Sequence, residues 1–96
     1  FDYPTSLDGN PSRLEIIKDI LTIVKNHNNL LKPTPLLRQS NISSHRFKEY
    51  FNELLNGNFI KEISNKDGNF ISLTEKGFKF LDKYEIIISF IDEFEL

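Results

Sequence analysis

The chain has 96 residues, 39% of them hydrophobic and nine of them phenylalanine, enough apolar matter for one compact core but not two. Cysteine is absent, which excludes a disulfide framework and a cysteine zinc site and is compatible with a reducing compartment. The net charge of −2 is unevenly spread: residues 12–81 carry 11 Lys or Arg against 7 Asp or Glu, and 82–96 carry one lysine against five acids.

A basic body between acidic ends fits a polyanionic partner for the body alone. No apolar run approaches the ~20 residues of a membrane helix, and the start lacks the basic-then-apolar pattern of a signal peptide. A protein of the cytoplasm, away from membranes, is expected. Because the chain begins at Phe1 and not at methionine, a trimmed chain or a fragment is also expected.

Residues 1–11, with Pro4, Gly9, Asn10 and Pro11, have no periodicity and read as a flexible arm. Ser12 and Glu15 have the spacing of a capping box, so a first helix is predicted from Arg13 to about Asn26. Its apolar stripe is Leu14, Ile17, Leu21 and Val24, widened by Ile16, Ile20 and Ile23. His27, Asn28 and Asn29 form a polar turn. Lys32-Pro33-Thr34-Pro35 then delays the second helix until Pro35, with Thr34 as its cap. That helix is short, ending near Gln39.

Ser40 and Asn41 turn the chain, Ile42 plugs the core, and Ser43 or Ser44 caps a third helix that runs to about Asn56. A left-handed Gly57 closes it. Two strands are predicted at 59–64 and 69–73, joined by Asn65-Lys66-Asp67-Gly68, in which Asp-Gly is a hairpin signal. Thr74 caps a fourth helix.

Phe78 and Leu81 of that helix can pack on the body, but residues 84–94 outrun it. Either the helix bends back to complete its own core, or it pairs with a second copy through Tyr84, Ile87, Ile88, Ile91 and Phe94. The acids Asp92, Glu93 and Glu95 stay on the wet side. The fold class is therefore α+β, mainly α: three helices, a two-stranded hairpin wing and a C-terminal helix. The organisation is an arm (1–11), a domain (12–81) and a dimerisation segment (82–96).

This order resembles the winged helix-turn-helix superfamily, and three stretches carry the resemblance: RLEIIKDIL, TPLLRQSNISSHRFKEYFNELLNGNFI and FISLTEKGFKFL, the last with a Leu-Thr-x-Lys-Gly signature. They cover residues 13–81. The remainder is similar to the C-terminal helix of small archaeal winged-helix proteins, some chromatin-associated, that dimerise through an antiparallel coiled coil. The resemblance implies that the third helix enters the DNA major groove while the wing touches the backbone or minor groove. It further implies a homodimer at the nucleoid, acting in transcription regulation or in chromatin.

At 100° per residue, Phe47, Tyr50, Phe51, Leu54 and Leu55 share one side of the third helix, and His45, Lys48, Glu49, Asn52 and Asn56 share the other. The first turns of a recognition helix reach base edges, so His45, Lys48 and Asn52 are the expected base readers. Ser43 and Ser44 can donate to phosphate at the helix start. Arg46 and Arg38 flank as phosphate clamps, with Thr34 beside them. In the wing, Lys61, Asn65, Lys66 and Asn69 form a basic, amide-bearing tip.

Each of these has a plainer explanation. The serines are equally served as caps, Arg46 and Lys48 as a solvated face, and Asp67 and Gly68 beside the wing tip as turn residues. Glu49 and Glu53 repel phosphate unless a carboxylate accepts from a cytosine amine.

Catalytic patterns are missing: two histidines, no His-Glu-x-x-His, no Gly-rich phosphate loop and no Gly-x-Ser-x-Gly elbow. His27, at the end of the first helix, reads as structural. No enzyme, cofactor or metal is expected. The expected partner is double-stranded DNA; the alternative function is a protein–protein module that uses the apolar C-terminal helix.

Overall fold

A computed structural model describes residues 13–95 of the chain. The predicted arm and the Ser12 cap lie outside these residues. The elements are α1 (Arg13–Asn26), α2 (Pro33–Ser40), α3 (Ser44–Asn56), β1 (Ile60–Asn65), β2 (Gly68–Leu73) and α4 (Glu75–Glu93).

The first helix is the spine of the core. Ile16, Ile17, Ile20, Leu21 and Val24 are buried, an i, i+3/i+4 face that α2, β2 and α4 all cover. Leu14, expected in that stripe, is 38% exposed. The buried face is centred on Ile20, and Leu14 lies at its margin in the first turn. After α1, Asn28 and Asn29 take left-handed φ values of 60° and 59°, reversing the chain at a conformation asparagine tolerates. The Asn29 Oδ1 then accepts from the Leu73 N–H at 2.7 Å, fastening this turn to the end of the hairpin. The His27 ring joins helices: Nδ1 donates to the Ile23 carbonyl at 2.9 Å, and Nε2 accepts from Gln39 at 3.3 Å.

The second helix starts at Pro33, two residues earlier than expected. The cap is Lys32, in extended geometry, and not Thr34. Both prolines fit because the first-turn N–H groups they lack have no intrahelical acceptor anyway; the first helical bond of this kind is Leu36 N–H to Lys32 O, 3.2 Å. Asn41, at φ 60°, closes the helix.

Ser43 caps α3, its hydroxyl accepting from the Arg46 N–H at 3.2 Å. At the other end Gly57 is right-handed (φ −86°), and the left-handed residue is Asn58 (φ 65°). The expected glycine stop is thus displaced by one residue, onto an asparagine.

The hairpin pairs Ile60 with Leu73 through to Asn65 with Gly68. Its turn residues are Lys66 and Asp67, and Gly68 (φ +125°) opens β2, so the first strand is shifted by one residue from its predicted bounds and the second starts one residue earlier with its predicted end at Leu73. Leu31 adds a bridge to the free edge of β2, with Leu31 N–H to Ile71 O at 3.1 Å and the reciprocal bond at 2.7 Å.

The Leu73-Thr74-Glu75-Lys76-Gly77 run has a physical reason. Thr74 caps α4 by accepting from the Gly77 N–H at 3.2 Å, and its hydroxyl donates to the Asn58 carbonyl. Lys76 donates to the Gly57 carbonyl at 2.8 Å, satisfying the carbonyl end of α3. A Cβ on Gly77 would stand 2.4 Å from the Phe59 carbonyl oxygen, so only glycine allows this approach. The motif welds the α3–β1 turn to the start of α4.

From there α4 is one continuous helix. It does not bend back, and its last turns leave the body, giving the molecule a 49 Å long axis against 26 and 21 Å.

Candidate nucleic-acid interface

The side-chain pattern of α3 separates as the periodicity predicts. Phe47 and Leu54 are buried, with Tyr50, Phe51 and Leu55 packed partly against the core. Ser43, Ser44, His45, Arg46, Lys48, Glu49, Asn52 and Asn56 are all exposed. Phe47 and Phe51 stack at 5.5 Å between ring centroids, fixing the rotation of the helix and thereby the direction of its polar face.

The cap bond leaves the Ser43 O–H able to donate outward, since the hydroxyl oxygen is the acceptor in that bond. The free N–H groups of the first turn add a partial positive charge at the same end.

The two acids of this helix are in different situations. Glu53 is ion-paired to Arg13, whose guanidinium also lies 5.6 Å from the centre of the Tyr50 ring. Glu49 is 3.9 Å from His45 Nε2, and both are widely exposed. Arg13, Arg46, Glu49, Tyr50 and Glu53 together line a shallow cleft of about 280 Å³. Arg13 therefore offsets one of the two carboxylates that oppose phosphate on this helix. No local sequence signal reveals this, because the partners are 40 positions apart.

In the wing, the Ser64 hydroxyl donates to Asn69 Oδ1 at 2.6 Å, and Asn65 Oδ1 accepts from the Asp67 N–H at 2.8 Å. The oxygens of both amides are thus taken up by hydrogen bonds within the hairpin. Their NH₂ groups and the exposed Lys61 and Lys66 face outward. A third cation joins them: Lys32 Nζ lies 5.6 Å from the Phe70 ring centre and alongside Gly68, where a Cβ would stand 3.7 Å away. The Leu31–Ile71 bridge brings the start of α2 to the wing in this way. Thr34 and Arg38 are exposed on α2 and make no side-chain hydrogen bond or ion pair among the described residues.

On α4, Ile87, Ile88 and Phe94 are exposed, whereas Tyr84 and Ile91 are half-buried. Tyr84 still belongs to the body. Its ring stacks on Phe80 at 6.1 Å, and Lys18 Nζ lies 5.8 Å from its centre. Burial pushes the Tyr84 phenol pKa up, and the hydrogen bond to Asp19 holds the Lys18 ammonium above its usual range.

Among the described residues no helix is long and apolar enough to cross a membrane, and no three His, Cys, Asp or Glu side chains converge as metal ligands.

Three helices, a hairpin closed by a bridge from the α1–α2 connection, and a helix following the wing define a winged helix-turn-helix protein. Residues 11–92 match the winged helix-turn-helix family, and the chain belongs to it. Two solved structures share the fold. One is a winged-helix DNA-binding protein from STIV, 21% identical, with a TM-score of 0.66 over 74% of this chain and 84% of that one. The other is Sso10a-2, a DNA-binding protein from Sulfolobus solfataricus, 20% identical, with a TM-score of 0.68 over 86% of this chain and 84% of that one. No curated protein matches the chain.

Proposed function

We propose that the protein binds double-stranded DNA as a homodimer, as a transcriptional regulator or a chromatin-associated protein of the nucleoid. The observation that carries this reading is the outward polar face of α3, with His45, Lys48, Glu49 and Asn52 exposed on a helix whose opposite side is anchored in the core. The major groove admits one such helix. Lys48 suits guanine and Asn52 adenine, while Glu49 accepts from a cytosine amine. Ser43, Ser44, Arg46, Arg38 and Thr34 contact phosphates along the flank, and Lys61, Asn65, Lys66 and Asn69 do so from the wing, with Lys32 added to them. The two structural neighbours, both DNA-binding proteins, agree with this reading. Pairing of two copies through Tyr84, Ile87, Ile88, Ile91 and Phe94 supplies the second half-site.

Fluorescence anisotropy with random duplex DNA at two salt concentrations tests it. Each neutralised phosphate adds ~0.9 to the slope of log affinity against log salt. Arg46→Ala with Lys48→Ala is expected to weaken binding and flatten the slope by up to ~2 while thermal stability is kept. Titrations that the double variant leaves unchanged refute the assignment.

A second reading is favoured by the exposed Ile86, Phe90 and Phe94: a winged-helix module that docks another protein on α4. An apolar contact of that kind is nearly indifferent to salt, so the same titration separates the two.

A further inference from the structure

The end of α4 carries more apolar circumference than one helix pair can cover. From Tyr84 to Phe94 the columns of a heptad place Tyr84, Ile87, Ile91 and Phe94 together as a seam, with Ile88 on one flank and Phe90, then Ile86, on the other. At 100° per residue these side chains span about 200° of the helix. Only Glu85, Ser89, Asp92 and Glu93 fill the remaining polar sector.

Flanking positions in a two-stranded coil carry charged residues; apolar flanks belong to helices that meet more than one neighbour. Two of the residues outside the seam are more than half exposed. Ile86 is 65% and Phe90 55% exposed, and Phe90 lies against the 57% exposed Phe94 at 4.8 Å between centroids. A shallow groove of about 390 Å³ runs beside them, lined by Glu85, Ile86, Ser89, Phe90 and Glu93.

Area points the same way. The seam is only ~16 Å long at 1.5 Å per residue. Even at ~100 Å² from each of its four side chains, two of them already half-buried, a single pair covers at most on the order of 800 Å² in total, below the ~1,200 Å² at which specific interfaces begin. Adding Ile86, Ile88 and Phe90 at the same rate raises the cover to ~700 Å² per chain, close to the ~800 Å² per partner of a standard interface. Four copies of the helix achieve this; two do not.

We propose that the end of α4 forms a four-helix contact between two pairs of this chain, one pair covering the other through Ile86 and Phe90. The contact rests on the pairing proposed above and extends it. Each chain keeps its polar sector of Glu85, Ser89, Asp92 and Glu93 toward water.

Sedimentation equilibrium of the full chain at micromolar concentration tests it, with circular dichroism as the folding control. The wild type is expected at about four times the chain mass of 11.3 kDa. Ile86→Glu with Phe90→Glu is expected to halve that mass and leave the spectrum intact, because both side chains are more than half exposed within the single chain. Ile87→Glu with Ile91→Glu is expected to yield single chains. A wild type of two-chain mass, unchanged by the first double substitution, overturns the inference and leaves the pairing reading standing. A wild type of single-chain mass overturns both, while the anisotropy titration still decides DNA binding separately.

Discussion

Two isoleucine-rich helices meet opposite fates in this molecule. On α1, Ile16, Ile17 and Ile20 repeat at helical spacing and are sealed, Ile20 completely. On the end of α4, Ile86, Ile87 and Ile88 are as apolar, sit in as regular a helix, and are left bare. The difference is not in the residues but in what the rest of the chain brings to them. α2, β2 and α4 all return to α1, whereas among the described residues no element covers Ile86, Ile87 and Ile88. Apolar periodicity therefore identifies a face that requires cover without identifying the cover, and a face the chain does not cover is left for another molecule.

The sharpest way to break this comparison is to shorten one isoleucine on each side. Ile20→Ala removes three carbons from a site with no exposure and is expected to cost about 2–5 kcal/mol. In a domain this small that lowers Tm by about 10 °C or more. Ile86→Ala, at 65% exposure, is expected to stay within ~0.5 kcal/mol when measured in dilute protein. Thermal melts of both variants check the pair, and equal losses would mean that α4 is covered within its own chain.

Within α4 itself the contrast sharpens at Gly77. Replacing glycine by alanine inside a helix ordinarily gains ~1 kcal/mol. Here the new methyl would stand 2.4 Å from the Phe59 carbonyl oxygen and 2.9 Å from Leu73 Cδ2. Gly77→Ala is expected to lose ~1–3 kcal/mol instead, because the backbone of the α3–β1 turn has to move. Urea denaturation would read the sign. A stabilised variant would show that the weld between α4 and the body is loose. A smaller effect is expected at Asn29→Ala, which leaves the Leu73 N–H without the acceptor it has at 2.7 Å, at a cost of ~1–2 kcal/mol. Hydrogen exchange at Leu73 should quicken in that variant, and unchanged protection would mean that water replaces the asparagine at no cost.

What was legible in the sequence follows the same division. The elements declared themselves where the determinant was local: the spacing in α1, Ser43 and Thr74 as caps, and the Asn65–Gly68 hairpin. The two faces of α3 were legible too, since 100° per residue is all that is needed to separate Phe47 and Leu54 from Lys48 and Asn52. Boundaries were less so. A second helix beginning at Pro33 instead of Pro35, and a left-handed Asn58 in place of Gly57, each depend on which of two adjacent permissive residues the tertiary packing selects. Contacts between distant positions were not legible at all. Arg13 meeting Glu53, Lys32 meeting the wing at Phe70 and Gly68, and Asn29 meeting Leu73 bring together side chains whose spacing carries no period. The first two adjust the charge of the candidate interface, so the composition of the polar face was readable and its electrostatic balance was not.

The smallest expected effect marks where the covered part of α4 ends. Lys18 and Tyr84 meet across α1 and α4, and both hold their protons more tightly in the folded chain: Lys18 through its bond to Asp19, against an ordinary value of 10.5, and Tyr84 through burial, against 10.0. A group whose pKa is raised by folding contributes stability that is present below its unfolded value and lost as pH climbs through the folded one. Stability should therefore hold to about pH 10 and decline beyond it, modestly, because both groups are partly in water. Tyr84→Phe keeps the ring on Phe80 and Lys18 but has no phenol to ionise, so its Tm should fall less between pH 9.5 and 11 than that of the wild type. Ile86→Ala, two residues on from Tyr84 but 65% exposed, should leave the alkaline decline untouched. If instead the decline is identical in the wild type and in Tyr84→Phe, then Tyr84 titrates as a free tyrosine, and the helix has left the body before residue 84.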